Sequence, residues 1–144
     1  MADVHNEVRL HLAWATWDHL PLLTPPVLEV VEQCIHDAGD PVRCPVLAIG
    51  GVEDRIHVLV KLSTTVTIAQ LIMEYKGYSS RILHHRFPDL DFRWEMGYSV
   101  FPVDPLAVGS ATEFVRNQKT HHRNKTLTEY LEETRYSLHS AEVA

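Results

Sequence analysis

The chain has 144 residues, of which 45% are hydrophobic and 22% are charged, and its formal net charge is −6. A chain of this length can bury a core without disulfides or metals, so we expect a single soluble domain over residues 1–144. No apolar run approaches the ~20 residues of a membrane span, and the acidic balance argues against bulk, sequence-independent nucleic-acid binding.

The two cysteines and the N-terminus bear on the compartment. Cys34 and Cys44 lack the CxxC spacing of a redox or zinc motif. Charged and polar residues interrupt the N-terminus, which therefore does not have the pattern of a signal peptide. We expect reduced thiols, a cytoplasmic location and no contact with a membrane.

The first predicted elements are a strand and a helix. Residues 8–17 alternate for much of their length and are rich in strand formers, which predicts a strand with His11 on one face and Trp14 on the other. Thr24 precedes two prolines, and the apolar residues that follow have helical spacing up to Gly39. This pattern predicts a helix between Thr24 and Gly39.

A β-hairpin is predicted next. Residues 41–49 favour a second strand and residues 56–62 a third. Gly50 and Gly51 lie between them, and glycine reaches positive φ without steric cost, so we predict that this pair forms the turn. His57 lies beside an acidic turn, where a metal or a phosphate could bind. The alternative is a half-buried histidine bonded to backbone.

The remaining residues predict four elements with caps or breakers at their ends. These are a long helix after the caps in residues 63–67 and closed by Phe87, a strand over residues 92–103 with a bend at Gly97, a helix from Asp104 to about Lys119, and a short helix around residues 127–136. The order β-α-β-β-α-β predicts an α+β fold of the ferredoxin-like, RRM-like type with a C-terminal helical extension. In this split βαβ arrangement two helices cover one face of an antiparallel sheet and the other face stays uncovered.

Five segments, in chain order, connect the sequence to a known family. They are HLAWATW, IGGVEDRIHVLVKL, YKGYSSRILHHRFP, WEMGYSVFPVD and EFVRNQKTHHRNKT. Together they resemble the single-tyrosine transposases of the HUH endonuclease superfamily, including the insertion-sequence and REP-associated members. The likeness covers approximately residues 8–130.

The resemblance implies a particular chemistry. The family holds a divalent metal, Mg²⁺ or Mn²⁺, with a His-hydrophobic-His strand and a glutamine one helical turn after a tyrosine. The metal draws charge from the DNA phosphate, and the tyrosine attacks it and stays covalently attached. Relatives form dimers, so the resemblance also implies a homodimer.

This sequence departs from the family at two positions. The His-hydrophobic-His slot contains Arg55, Ile56 and His57, and arginine has no lone pair for a metal. The tyrosine slot, four residues before Gln118, contains Phe114, which has no oxygen to attack phosphorus. The resemblance therefore implies only vestigial metal residues, His57 and Gln118. We predict no intact catalytic residue and no cofactor in this chain.

Arg55 and the tyrosines leave alternatives open. The guanidinium of Arg55 could grip phosphate with two hydrogen bonds, or it could be a surface group paired with Glu53 or Asp54. Tyr75 lies on an apolar helical stripe, which favours core packing. Tyr78 lies near residues that contact DNA in relatives, and it is the least implausible replacement nucleophile.

The predicted DNA contacts come mainly from two basic segments. The full set is Arg55, Lys76, Ser79, Ser80, Arg81, His85, Arg116, Lys119 and Arg123. Such groups give salt-dependent affinity for phosphate without reading sequence. The alternative for each segment is a solvated charged surface. Trp14, Trp17 and Trp94 could stack bases, but core or dimer packing is the favoured use.

The sequence thus predicts a transposase-like protein that binds single-stranded or hairpin DNA and has lost strand cleavage. One alternative is a structural or interaction homodimer that keeps only the fold. Another is a regulator that forms mixed dimers with an active relative. A third is an active nuclease that uses His57, Gln118 and a carboxylate such as Glu53 around a metal.

Overall fold

The structure is a computed structural model, and it describes residues 4–117. Its strands and α-helices are β1 (Arg9–Ala15), α1 (Pro25–Gly39), β2 (Val46–Val52), β3 (Arg55–Lys61), α2 (Ile68–Arg86), β4 (Ser99–Val103) and α3 (Val108–Arg116). Short 3-10 turns at Trp17–His19 and Pro105–Ala107 follow β1 and β4. The strands form one antiparallel sheet in the order β2-β3-β1-β4, which confirms the predicted α+β fold.

Strand alternation assigns the main core to one face of the sheet. Leu12 on β1 and Val58 on β3 are register partners, and both are fully buried. They belong to a cluster with Ile35 of α1 and Leu71 of α2, so the two long helices cover this face. The predicted faces of β1 are therefore correct.

Helix α2 begins and ends at residues that the sequence indicates. The Thr67 hydroxyl accepts the N–H of Gln70 at 3.1 Å, and the Gln70 side chain accepts the N–H of Thr67 at 3.1 Å. This capping box satisfies two N–H groups that a helix start leaves without partners. The helix continues through Gly77, and its C-cap is Phe87, ahead of Pro88.

The predicted hairpin between the second and third strands is confirmed, but the assignment of its turn to the glycine pair was wrong. Gly50 and Gly51 lie inside β2, and the turn is formed by Glu53 and Asp54. Neither glycine has a positive φ. At Gly51 the reason for glycine is space, because an added Cβ would lie 2.9 Å from Leu28 Cδ1.

Two predicted strands are shorter than expected. Strand β2 begins at Val46, because residues 41–45 turn through Arg43, which has a φ of 58°. Residues 92–98 are not part of β4. Within them only Trp94 pairs, as a single bridge to Thr16 at the end of β1, and Gly97 turns the chain with a φ of 115°.

The second face of the sheet is covered, which corrects the expectation of an uncovered face. Helix α3 packs on it through Val115, which forms a small buried cluster with Ala48 of β2 and Leu59 of β3. The predicted last helix, around residues 127–136, lies outside the described residues. Within residues 4–117, no helix is both long enough and apolar enough to cross a membrane.

Candidate functional site

Two histidines from adjacent strands meet on the α3 face of the sheet. His11 of β1 is the register partner of Leu59, and His57 of β3 is the partner of Ala13, so the two imidazoles are diagonal neighbours. His11 Nε2 lies 2.8 Å from His57 Nδ1, and each residue is 1% exposed. One ring donates a proton and the other accepts it, so the hydrogen bond needs a lone pair on one of these two nitrogens.

Two phenylalanines enclose this pair. The ring centroid of Phe114, on α3, is 5.9 Å from that of His11 and 6.0 Å from that of His57, and it meets both rings edge-on. Phe101, on β4, lies 6.0 Å from His11. The structure therefore brings the predicted nucleophile slot directly against the predicted histidine, and the surroundings are apolar.

Gly50 fixes how closely α3 approaches the sheet. Gly50 is the register partner of His57, and a Cβ added to it would lie 1.8 Å from the carbonyl oxygen of Val115. A side chain and the α3 backbone cannot both occupy this position, so glycine is needed here for space. The last turn of α3 thus lies against β2 beside the imidazole pair.

Arg55 is partly buried at the start of β3. Its side chain is 15% exposed, and Nε lies 3.7 Å from Asp54 Oδ1. The pairing with Asp54 that the sequence left as an alternative is therefore present, although the side chain is largely buried. The side chain shares its strand face with His57, because the two residues are two positions apart.

The donor set does not fit a divalent metal within the described residues. Arg55 offers no lone pair and Phe114 is apolar, so among these three slots only His57 carries an atom that could bind a metal. Residues 4–117 contain no cluster of three His, Cys, Asp or Glu side chains that could hold an ion. Gln118, the other predicted metal residue, lies outside this range.

The predicted DNA residues of α2 do not form one surface. Ser79 is fully buried, its hydroxyl donates to Tyr75 O at 2.6 Å, and it accepts from Trp94 Nε1 at 2.9 Å. Its predicted DNA contact does not fit this position. Lys76 Nζ donates to the carbonyls of Glu95 at 2.8 Å and Gly97 at 2.6 Å, so this ammonium holds a loop. Burial lowers the pKa of Lys76.

Arg81 and His85 are the exposed members of the set on α2. They are one helical turn apart and share a face, with the Arg81 guanidinium 5.4 Å from the centroid of the Tyr78 ring. Ser80 is half-buried and lies four residues after Lys76, on the same side of α2. Lys76 and Arg81 are five residues apart, which places them about 140° apart around the helix axis. A nucleic acid that contacts Arg81 would therefore not reach Lys76 along the same face.

The third helix places one further predicted contact. Arg116 is exposed in the last turn of α3. Lys119 and Arg123 lie outside the described residues.

Tyr75 is fully buried and stacks on Trp14 with ring centroids 5.9 Å apart, so the predicted core role of this tyrosine is correct.

The sequence did not predict the partner of His57. His11 was assigned to the correct strand face, but its neighbour depends on the pairing of β1 with β3 and on their register. The signal that could have found it is the ferredoxin-like order itself, which places the first and third strands side by side.

Comparison with known proteins identifies the family. The family model described as "Transposase IS200 like" matches residues 4–118. The chain belongs to the IS200-like transposase family. No curated protein matches it.

Solved structures of transposases have a similar fold. The structure of a "putative transposase" from Deinococcus radiodurans R1 has a TM-score of 0.66 and 21% identity, covering 82% of this chain and 96% of that one. The REP-associated tyrosine transposase bound to a REP hairpin has a TM-score of 0.61 and 10% identity, covering 85% of this chain and 74% of that one. At these identities the likeness concerns the fold alone.

Proposed function

We propose that this IS200-like transposase binds hairpin or single-stranded DNA and does not cleave it. The observation that supports the loss of cleavage is the packing of Phe114 against the His11–His57 pair. At the slot where the family has a tyrosine, this chain has a ring without an oxygen, and nucleophilic attack on phosphorus needs one. The fold shared with a REP-hairpin-bound transposase supports the choice of DNA as the ligand.

The proposed grip on DNA is electrostatic. Arg81 and His85 form an exposed row on α2, with Arg86 in the last turn. Arg116 adds a cation at the end of α3. His85 and Arg86 lie in the last turn of α2, where basic groups also complement the helix dipole, so their presence alone does not require a ligand. Their use in DNA binding is tested by affinity and by its dependence on salt.

Fluorescence anisotropy would test the binding. A labelled hairpin and an unstructured strand of equal length are titrated with protein at two salt concentrations. We expect tighter binding to the hairpin and affinity that falls with salt.

Arg81→Gln should weaken binding and reduce the salt slope by about 1, as expected for one lost phosphate contact. Arg43→Gln, an exposed arginine after α1, is the matched control and should change neither. Equal, weak binding to both DNAs would contradict the proposal.

Denaturing gels would test the absence of cleavage. Labelled single-stranded DNA is incubated with wild-type protein and Mn²⁺, and we expect no covalent protein–DNA product. The double variant Arg55→His/Phe114→Tyr returns both slots to the family pattern, and it serves as the comparison. A covalent product from the wild type would overturn the proposal, because it would require a nucleophile other than residue 114.

A homodimer that keeps only the fold is the alternative function, and the formal net charge of −6 favours it because this charge opposes phosphate. A mixed dimer with an active relative is a version of the same idea. Analytical ultracentrifugation without DNA tests the dimer. A stable monomer would remove the alternative, and a dimer without DNA affinity would replace the main proposal.

A further inference from the structure

The three tryptophans differ in their surroundings. Trp14 is 4% exposed and packs edge-on against Trp94, which donates its Nε1–H to Ser79. Trp17, in the 3-10 turn after β1, is 42% exposed. Core packing therefore accounts for Trp14 and Trp94 and leaves Trp17 without an assigned role.

The backbone turn that follows Trp17 is stabilised by hydrogen bonds. The two residues after Trp17, Asp18 and His19, have φ values of 51° and 53°, in the left-handed region that non-glycine residues rarely adopt. Hydrogen bonds stabilise this turn, because Trp17 N–H donates to Arg93 O at 3.0 Å and Asp18 N–H donates to Glu95 Oε2 at 3.2 Å. Asp and His adopt this region more readily than most residues, so the turn is compatible with its sequence.

Arg93 lies against the exposed indole. Its guanidinium carbon is 5.9 Å from the centroid of the Trp17 ring. Arg93 is exposed, whereas its neighbour Phe92 is fully buried against α2, because the chain is extended here and successive side chains alternate. The result is a flat aromatic surface with a planar cation beside it, held on two segments that bond to each other.

We propose that Trp17 and Arg93 form a stacking site for one unpaired base of bound DNA. The inference rests on the proposed DNA-binding function and adds a residue-level subsite to it. An indole face is a sequence-tolerant platform for a base, and a neighbouring arginine strengthens such stacking. This site is separate from the Arg81–His85 row on α2 and from the His11–His57 pair.

The surrounding charges favour a base over a phosphate. Asp18 lies in the turn and Glu95 on the segment that carries Arg93, and their carboxylates would repel a phosphate but not the neutral face of a base. A second protein copy is also disfavoured as the occupant. The other large exposed apolar side chains of the turn and of the Arg93 segment beside it are Leu20 and Met96, and a stable interface needs about 800 Å² per partner.

The test compares a hairpin that has a single-stranded flank with the same hairpin without the flank. We expect Trp17→Ala to weaken binding of the flanked hairpin by about 5-fold to 150-fold, the range for loss of one stacked base, and to leave the blunt hairpin unchanged. Trp17→Phe should lose less, because a smaller aromatic face remains. Leu106→Ala is the matched control, since this 97% exposed residue lies before α3, outside the turn. The salt slope should not change in either Trp17 variant.

Indole fluorescence provides a second measurement. Iodide should quench Trp17 more than Trp14 or Trp94, and flanked DNA should remove this quenching in the wild type. Trp17→Phe should show little quenching with or without DNA. Equal affinity of wild type and Trp17→Ala for the flanked hairpin would overturn the stacking site alone. Absence of DNA binding by the wild type would overturn the proposed function and the site together. A shift of Trp17→Ala from dimer to monomer, with affinity retained, would assign the indole to an interface instead.

Discussion

The two faces of the sheet differ in what covers them and in what they bury. Two long helices, α1 and α2, cover one face, and the core between them and the sheet is mainly aliphatic and aromatic. A helix of 9 residues, α3, covers the other face, where the apolar cluster is small and a hydrogen-bonded imidazole pair lies buried. The fold is therefore stabilised mainly from one face, while the residues in the family's catalytic slots lie on the other.

This division has a simple origin in the strands. In β1 and β3, alternate residues give each strand one purely apolar row and one row that contains a histidine. The apolar rows are buried under the large surface of α1 and α2, because burial of apolar area is the main source of stability. The second rows are less apolar, and a helix of 9 residues covers them.

The largest expected effect concerns stability on the two faces. Leu71→Ala, in α2, should lower the free energy of unfolding by about 2–5 kcal/mol, because it leaves a cavity between long, fixed helices. Leu59→Ala, under α3, should cost less, since a short helix can move to close the space. Urea unfolding of both variants measures the difference. A larger loss for Leu59→Ala would mean that the α3 face is as rigid as the main core.

The second prediction concerns how closely α3 packs against β2. Gly50→Ala places a Cβ where Val115 O lies 1.8 Å away, so α3 must shift, and we expect a loss of about 1–3 kcal/mol. Hydrogen exchange should increase in α3 and stay unchanged in α2. Gly77→Ala is the matched control, because nothing lies within 4 Å of its added Cβ and alanine favours α2 by about 0.5–1 kcal/mol. Unchanged exchange in α3 after Gly50→Ala would contradict this packing.

The third prediction separates the imidazole pair from ordinary packing. His11→Leu should cost about 1–3 kcal/mol, because it removes the hydrogen-bond partner of a buried group. His57→Leu should cost a similar amount. The double variant should cost less than the sum of the two, with a coupling of about 0.5–3 kcal/mol. Additive losses in urea unfolding would mean that the 2.8 Å contact contributes no stability of its own.

The sequence predicted the elements better than their contacts. Alternation and capping residues located β1, its two faces, α1 and α2, because these features depend on neighbours within a few residues. The glycine pair was assigned to a turn because the sequence shows conformational freedom but not crowding. At Gly50 and Gly51 the crowding comes from Val115 and Leu28, which are distant in sequence.

The site was predicted in part for the same reason. The resemblance assigned Phe114 to the tyrosine slot and His57 to the metal-ligand slot, and the structure places their ring centroids 6.0 Å apart. It could not reveal His11 as the hydrogen-bond partner of His57, because that contact depends on strand register. On α2, basic composition did not distinguish Arg81, which is exposed, from Lys76, whose ammonium is occupied by carbonyls of a distant loop.

The smallest expected effect concerns Tyr75, in the core of the α1–α2 face. Its hydroxyl is buried and has no hydrogen-bond partner among the described residues, so Tyr75→Phe at neutral pH should match the wild type or gain up to about 1 kcal/mol.

The alkaline range gives this variant a clear signature. Burial raises the pKa of Tyr75 above its ordinary value of 10.0. Above that pH the unfolded chain releases the phenolic proton and the folded chain keeps it, so the folded state binds more protons and stability falls as pH rises. The loss can reach about 1.4 kcal/mol per pH unit. The pKa of Lys76 is lowered, which makes the free energy of unfolding rise with pH just below the ordinary pKa of 10.5. Lys76 is present in both proteins, so its contribution cancels in the difference between them. The midpoint of urea unfolding should therefore fall more steeply above pH 10 in the wild type than in Tyr75→Phe, and parallel curves would mean that Tyr75 is open to solvent.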